Sequence, residues 1–317
     1  MSQPFKIASL ALLAIAGAPQ AALAEWPNDQ PIELIVAYNP GGGTDVMFRT
    51  MERFLEEALG AEIAILNKPG AGGEIAYTAL TQAEPDGYTI SSLNTPSFLT
   101  TRLDRELTYN PADICPVARM VEDPSALMVQ ADSEFQNLTD LVEHAKQNPG
   151  AVSVGTTGVG SDEHLTLIQL EQQGGIDLTA IPFGGSAETR TALLGGHVTS
   201  IGINIGEYLG NDSTGVRLVA QLSDERSALM PDLPTAKEQG FDLVMSSERG
   251  VGVRCDVPEA IRTRLAEAVK QVLDNPEFQA QAEKLKLPIA YLTSEEWTQQ
   301  MPVRLDRFKA IWDLVEK

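Results

Sequence analysis

Four glycine-rich segments have the composition to receive an anion. They are Asn39-Pro40-Gly41-Gly42-Gly43-Thr44-Asp45, Asn67-Lys68-Pro69-Gly70-Ala71-Gly72-Gly73, Thr156-Thr157-Gly158-Val159-Gly160-Ser161 and Ile181-Pro182-Phe183-Gly184-Gly185-Ser186. The first three follow β-rich runs, and all four open helical patterns. Glycine lets a backbone approach a ligand closely. A helix start presents free N–H groups and the positive end of its dipole. One such loop is an ordinary strand-to-helix connection. Four in one chain, three of them with Ser or Thr hydroxyls, point to a crevice at the carboxyl ends of parallel strands. A nucleotide is disfavoured, because neither the Walker A pattern nor the G-x-G-x-x-G spacing occurs in these loops.

Catalytic groups are harder to assemble. His144, His164 and His197 have no zinc-type spacing, and the two cysteines have none either, so no metal site is expected. Gly184-Gly185-Ser186-Ala187-Glu188 lacks the final glycine of a nucleophile elbow. Ser161 and His164 lie one helical turn apart, but Ser161 reads better as a helix cap. Asp45 reads as a first-turn acid favoured by the helix dipole. Arg249 is a candidate anchor for an acid ligand through bidentate contacts, with a local ion pair as the alternative. Its neighbour Glu248 offers a place for an amine. Arg49 reads as support for the first helix, and Trp297 and Trp312 as packing residues. No catalytic residue and no cofactor is expected.

Strand patterns at 32–38, 62–66, 88–93, 126–130, 151–155, 198–203, 216–222 and 242–246 alternate with helical patterns. The helices are expected at 45–58, 74–83, 138–147, 163–172, 187–194 and 235–239, then 259–273, 276–285 and 294–316. Runs dense in Ile, Leu and Val suit strands covered on both faces, hence an α/β fold with crossover helices. The 317 residues suffice for one large or two ordinary domains. With 44 acidic against 23 basic residues the formal charge is −21, which disfavours nucleic acid and anionic membranes as partners. Residues 1–24 read as a secretory signal: Lys6, an apolar run too short to span a bilayer, and Ala22-Leu23-Ala24 before Glu25. Cleavage is expected after Ala24. Cys115 and Cys255 either form one disulfide or remain two buried thiols.

The order of these motifs resembles the periplasmic receptors of tripartite tricarboxylate transporters, the Bug or TctC family. The likeness runs through Trp26-Pro27, Ile35-Val36-Ala37-Tyr38, Pro40 to Asp45 with Arg49, Asn67 to Gly73, and Pro85-Asp86-Gly87-Tyr88-Thr89. It continues through Asn148-Pro149-Gly150, Gly158 to Ser161 with His164-Leu165, Phe183 to Ala187, Gly195-Gly196-His197-Val198, Leu233-Pro234-Thr235 and Glu238-Gln239-Gly240-Phe241. The resemblance implies a two-lobed Venus-flytrap of type II-like topology, with the ligand in a cleft between two doubly wound lobes. It implies lobe 1 at 25–123 plus 251–317 and lobe 2 at 124–250, with crossings near 124–130 and 242–250. By the same resemblance, ligand contacts fall on Pro40, Gly41, Gly42, Gly43, Thr44, Asp45, Ala71, Gly72, Gly73, Thr156, Thr157, Gly158, Ser161, Gly184, Gly185 and Ser186. Asn204 stands where many relatives have Asp, and Glu248 and Arg249 where many have an aromatic. The implied function is a non-catalytic periplasmic receptor, a monomer, which delivers a small organic carboxylate to the membrane permease. The alternatives are an exported hydrolase or lyase using Ser161 or Ser186, and an input module for a sensor kinase.

Overall fold

Glycine loops cut the apolar runs into alternating strands and helices. The structure is a computed structural model and describes residues 26–27 and 29–315. The expected signal segment, 1–24, lies outside the described residues. In chain order the elements are β1 Ile32–Val36, α1 Gly43–Leu59, β2 Ile63–Asn67, α2 Glu74–Gln82, β3 Thr89–Thr95, α3 Ser97–Asp104, β4 Ile114–Gln130, α4 Leu138–Gln147, β5 Val152–Thr156 and α5 Asp162–Gly174. They continue as β6 Leu178–Pro182, α6 Ser186–Leu194, β7 Ser200–Asn204, α7 Ile205–Gly210, β8 Val216–Gln221, β9 Ser246–Arg254, α8 Glu259–Asp274, α9 Pro276–Lys284, β10 Ile289–Thr293 and α10 Ser294–Trp312.

Two sheets share strand β4. The first runs β2-β1-β3-β9-β4, with β10 also on β4. The second runs β4-β7-β5-β6, with β8 also on β4. Within the first, β1 is parallel to β2 and β3, while β9 is antiparallel to β3 and to β4 from Ile114 to Pro124. Within the second, β5 is parallel to β6 and β7, and the end of β4 from Ser125 to Gln130 pairs with β7 and β8. At about 3.3 Å per residue, the 17 residues of β4 span roughly 55 Å and so reach through both lobes.

Strand β1 shows why both of its faces are apolar. Ile32, Leu34 and Val36 join one buried cluster with α1, α8 and α9, while Ile35 and Ala37 join another with α2, α3 and α10. Successive side chains of a strand point to opposite faces, so both sets are buried at once. Helix α1 buries Met47, Phe48, Met51, Phe54, Leu55 and Leu59 along one stripe, each worth about 1.5–3 kcal/mol. It ends at Gly60, whose φ of 73° lies in the left-handed region. Helix α10 packs on α3 and β4 and on α5, so it touches both lobes. Its Trp297 is fully buried and Trp312 packs on His164 with ring centroids 5.7 Å apart.

Several elements differ from the sequence reading. The strand expected at 126–130 is only the tail of β4. The strand expected at 242–246 is displaced: Phe241 to Met245 is irregular and β9 begins at Ser246. Both differences arise where charged residues interrupt the apolar pattern inside a buried strand. Strands β6 and β10 were not anticipated, because much of their surface is exposed. Helices α3 and α7 were also missed. The helix expected at 235–239 is a single 3-10 turn, Lys237–Gln239.

The question left open by the cysteines is resolved in favour of pairing. Cys115 on β4 and Cys255 just beyond β9 form a disulfide, their Cα atoms 4.8 Å apart and 140 residues distant in sequence. It staples the same two strands that carry the first sheet's antiparallel half. Closing a loop of that length restricts the unfolded chain, so replacing both cysteines by Ser is expected to lower the unfolding free energy by about 2–5 kcal/mol. A urea melt of the oxidised protein and the double variant measures this; superimposable curves would show that the bridge contributes nothing.

Candidate functional site

The carboxyl ends of β1, β3, β5, β6, β7 and the crossing strand β9 meet between the lobes. Around them lies an inner cavity of about 30 Å³. Its walls from the first lobe are Tyr38, Gly42, Gly43, Thr44, Asn94, Thr95 and Ser97. From the second come Thr157, Asp162, Glu163, Ser186, Asn204 and Glu207, with Ser247 and Arg249 from β9. An outer cavity of about 290 Å³ opens beside it, between Gly70 to Gly73, Thr157 to Val159 and Pro182 to Gly184, with Arg105 at its edge.

Arg249 is 2% exposed and its charge is already matched. Its Nη2 donates to Asn204 Oδ1 at 2.8 Å and lies 3.1 Å from Glu207 Oε1, and its Nη1 donates to Asp123 Oδ2 at 3.4 Å. Asn204 in turn donates through Nδ2 to Asp162 Oδ2 at 3.0 Å, and Ser125 Oγ donates to the same oxygen at 2.6 Å. Position 204 therefore needs an acceptor on one side and a donor on the other. Asn supplies both; Asp would set a second carboxylate against Asp162.

Two carboxyls of this region, Glu163 and Asp123, are pushed toward their neutral forms. Burial, and then the charge of Asp162, raise the pKa of Glu163 well above the ordinary carboxylate range; its Oε2 accepts from the Thr157 hydroxyl at 2.8 Å. Burial likewise pushes Asp123 up to about 7, against the pull of Arg249 and the Gly206 N–H. Asp45 behaves oppositely. Burial opposes ionisation there, but hydrogen bonds from Arg49, the Gly41 N–H and Asn67 win and hold it below its ordinary value.

The lobes touch across the cleft through glycines. The Asn39 N–H donates to Gly184 O at 3.1 Å, and Thr100 Oγ1 donates to Gly160 O at 2.6 Å. A Cβ on Gly43 would stand 1.8 Å from Glu207 Oε1, and one on Gly158 would stand 3.3 Å from the Gly72 Cα. Small residues are required at these points for the lobes to meet.

Residues 47–315 match the family model described as the tripartite tricarboxylate transporter family receptor. The chain belongs to this receptor family. It is 30% identical over 308 residues to the UPF0065 protein in the gbd 5' region of Cupriavidus necator, covering 96% of this chain and 93% of that protein. It is 32% identical over 239 residues to protein BugT of Bordetella pertussis, covering 74% and 73% respectively. Among solved structures, MatC of Rhodopseudomonas palustris with bound malate matches with a TM-score of 0.83 at 24% identity, over 90% of this chain and 99% of that one. A second R. palustris protein, with adipate, matches at 0.85 and 25% identity, over 91% and 98%. The periplasmic binding protein BugD matches at 0.81 and 26% identity, over 89% and 98%. The fold is thus the mixed α/β, two-lobed fold of periplasmic binding proteins, and the chain is a solute-binding receptor, not an enzyme.

In this receptor the residues singled out from the sequence fall into three groups. Gly42, Gly43, Thr44, Thr157, Ser186, Asn204 and Arg249 line the inner cavity. Ala71, Gly72, Gly73, Gly158 and Gly184 line the outer one, with Thr157 common to both. Pro40, Gly41, Asp45, Thr156, Ser161, Gly185 and Glu248 line neither. Gly41 and Asp45 brace the first loop against each other. Ser161 caps α5 by accepting from the His164 N–H, so it is not poised as a nucleophile. Glu248 points to the opposite face of β9 from Arg249. There it pairs with Arg119 and with Arg304 at 2.8 Å, and accepts from Thr95 Oγ1 at 2.6 Å and Trp297 Nε1 at 3.1 Å. It is not available to an amine in the cleft.

The sequence reading passed over Tyr38, Asn94, Thr95, Ser97, Asp162, Glu163, Glu207 and Ser247. It searched for glycine-rich loops, and the turn from the end of β3 into α3, Asn94 to Ser97, is polar without glycine. That loop's place after a third parallel strand was the available signal. Asp162 and Glu163 were hidden as first-turn acids of α5.

Two outcomes follow. A carboxyl whose folded pKa is raised stabilises the fold fully below its unfolded pKa, and that contribution is lost as pH rises through the folded value. Asp123 and Glu163 are both raised, so the melting temperature should fall between pH 5 and pH 8. Glu163→Gln should shallow that fall; an unchanged pH profile would contradict a protonated Glu163. Gly43→Val should leave the melting transition cooperative but lower ligand affinity by tenfold or more, since it holds the lobes apart at Glu207. Wild-type affinity in calorimetry would show that closure does not need that contact.

Proposed function

We propose that this chain is a periplasmic receptor which captures a small organic carboxylate and hands it to the membrane permease of a tripartite tricarboxylate transporter. The observation that carries the proposal is the convergence of strand-end loops from both lobes on one enclosed, hydroxyl-rich cavity. A ligand there touches both lobes, so it favours the closed arrangement by its differential affinity, and the permease would read that closed form. The malate and adipate bound by structural relatives support the carboxylate class. In this reading 25–123 plus 251–317 form one lobe and 124–250 the other, with hinges near 124–130 and 242–250 where β4 and the approach to β9 cross. Ligand contacts come from the residues that line the two cavities. Export follows from the signal-like segment 1–24, with cleavage after Ala24, and the receptor works as a monomer without a cofactor.

The test is a thermal-shift screen of residues 25–317 against mono-, di- and tricarboxylates, aromatic acids and amino acids. A ligand that binds only the folded form raises its stability, by about 2.7 kcal/mol at one hundred times Kd. At least one carboxylate-bearing compound is expected to raise the melting temperature. No shift across the whole set would remove the proposed ligand class.

A further inference from the structure

The inner and outer cavities share Tyr38 and Thr157 in their walls, so they lie side by side at the cleft. The inner part, about 30 Å³, holds a group about the size of a water molecule, whereas the outer part, about 290 Å³, has room for a small molecule's body. The inner walls carry three carboxyl side chains, Asp162, Glu163 and Glu207, and one cation, Arg249. That cation is matched by Asp123 and Glu207. No cation on the inner walls is therefore left for an entering carboxylate.

Asn94 makes a second, independent demand. It is 3% exposed and lines the inner cavity. Its Nδ2 donates to Thr44 Oγ1 at 2.9 Å, but its Oδ1 has no hydrogen-bond partner. A buried acceptor left unpaired costs free energy until a donor arrives. Glu207 also has capacity to spare, since Arg249 and Ser186 both approach its Oε1. An entering carboxylate would bring only acceptors to this surface. A metal ion is a poor fit, because among the described residues no group of three His, Cys, Asp or Glu is placed to hold one. An ammonium is compact, cationic and brings three donors.

We propose that the inner cavity binds a protonated amine, so that the ligand is an aminocarboxylate with its ammonium on Glu207, Asn94 and Glu163, whose carboxyl releases its proton to water as the ammonium arrives. Its carboxylate lies in the outer cavity among the Gly72, Gly73 and Gly158 loops. This rests on the receptor reading above and narrows its ligand class.

Calorimetry and thermal shift on residues 25–317 with chain-matched probes decide it: adipate, 6-aminohexanoate and 1,6-diaminohexane, then the four- and five-carbon sets, then the common L-amino acids. The expected result is that an aminocarboxylate binds at least tenfold tighter than the diacid of its own length. Glu163→Gln is expected to erase most of that preference. If that variant does not fold, the wild-type ranking alone decides. A diacid that binds as tightly as its amino counterpart overturns the ammonium site and leaves the carboxylate receptor standing. Binding by diamines alone supports the ammonium site and removes the carboxylate. No binding by any acid, aminocarboxylate or amine overturns both.

Discussion

A guanidinium shut away from water must find carboxylates or the fold that buries it does not form. Arg249 sets that condition at the centre of this receptor. It stands on β9, which pairs with β3 and β4 of the first lobe, yet its partners Asn204 and Glu207 belong to the end of β7 and to α7 of the second. Its third partner, Asp123, sits on β4 where that strand passes from one sheet to the other. Removing one member of such a buried set strands a charge, at a cost of about 3–5 kcal/mol. The crossing strands and the cleft floor are therefore one electrostatic unit. The opposite face of β9 repeats the arrangement, with Glu248 held by Arg119, Arg304 and Trp297. Alternation along one strand thus ties the cleft on one side to helix α10 on the other.

That unit gives the lobes a fixed floor, while the loop tips above it meet through small residues. Hydrogen bonds such as Asn39 to Gly184 and Thr100 to Gly160 also cross the cleft there. In the proposed receptor cycle, a ligand lodged between these loops would touch both lobes and so favour the closed arrangement by its differential affinity. The glycines leave room for this approach. Gly43 leaves space for Glu207, and Gly158 lies against Gly72.

Much of the fold was legible from the residues. The apolar runs of β1, β2, β3, β5, β7 and β8, and the helices α1, α2 and α5, were found within a few residues of their observed bounds. The family pattern was legible too, because its glycine motifs keep their order along the chain. The two crossing strands were not. Their apolar pattern is broken by Arg119, Glu122, Asp123 and Pro124 on β4 and by Glu248 and Arg249 on β9, which alone read as solvated turns. Of the candidate site, the glycine loops were visible, but the polar loop at Asn94 and the acids Asp162, Glu163 and Glu207 were not.

The sequence by itself determined the alternating α/β elements, the glycine-rich strand ends that form the cleft and the family, since each of these depends on local composition and spacing. Only the tertiary structure decided what the charges do. Whether Arg249 is an anchor or a buried strut, which way Glu248 points, and whether Cys115 meets Cys255 all depend on partners tens to more than a hundred residues away. A buried charge is tolerable only when its counter-charge arrives from elsewhere in the chain. That pairing is a property of three-dimensional proximity, and no run of neighbouring residues encodes it.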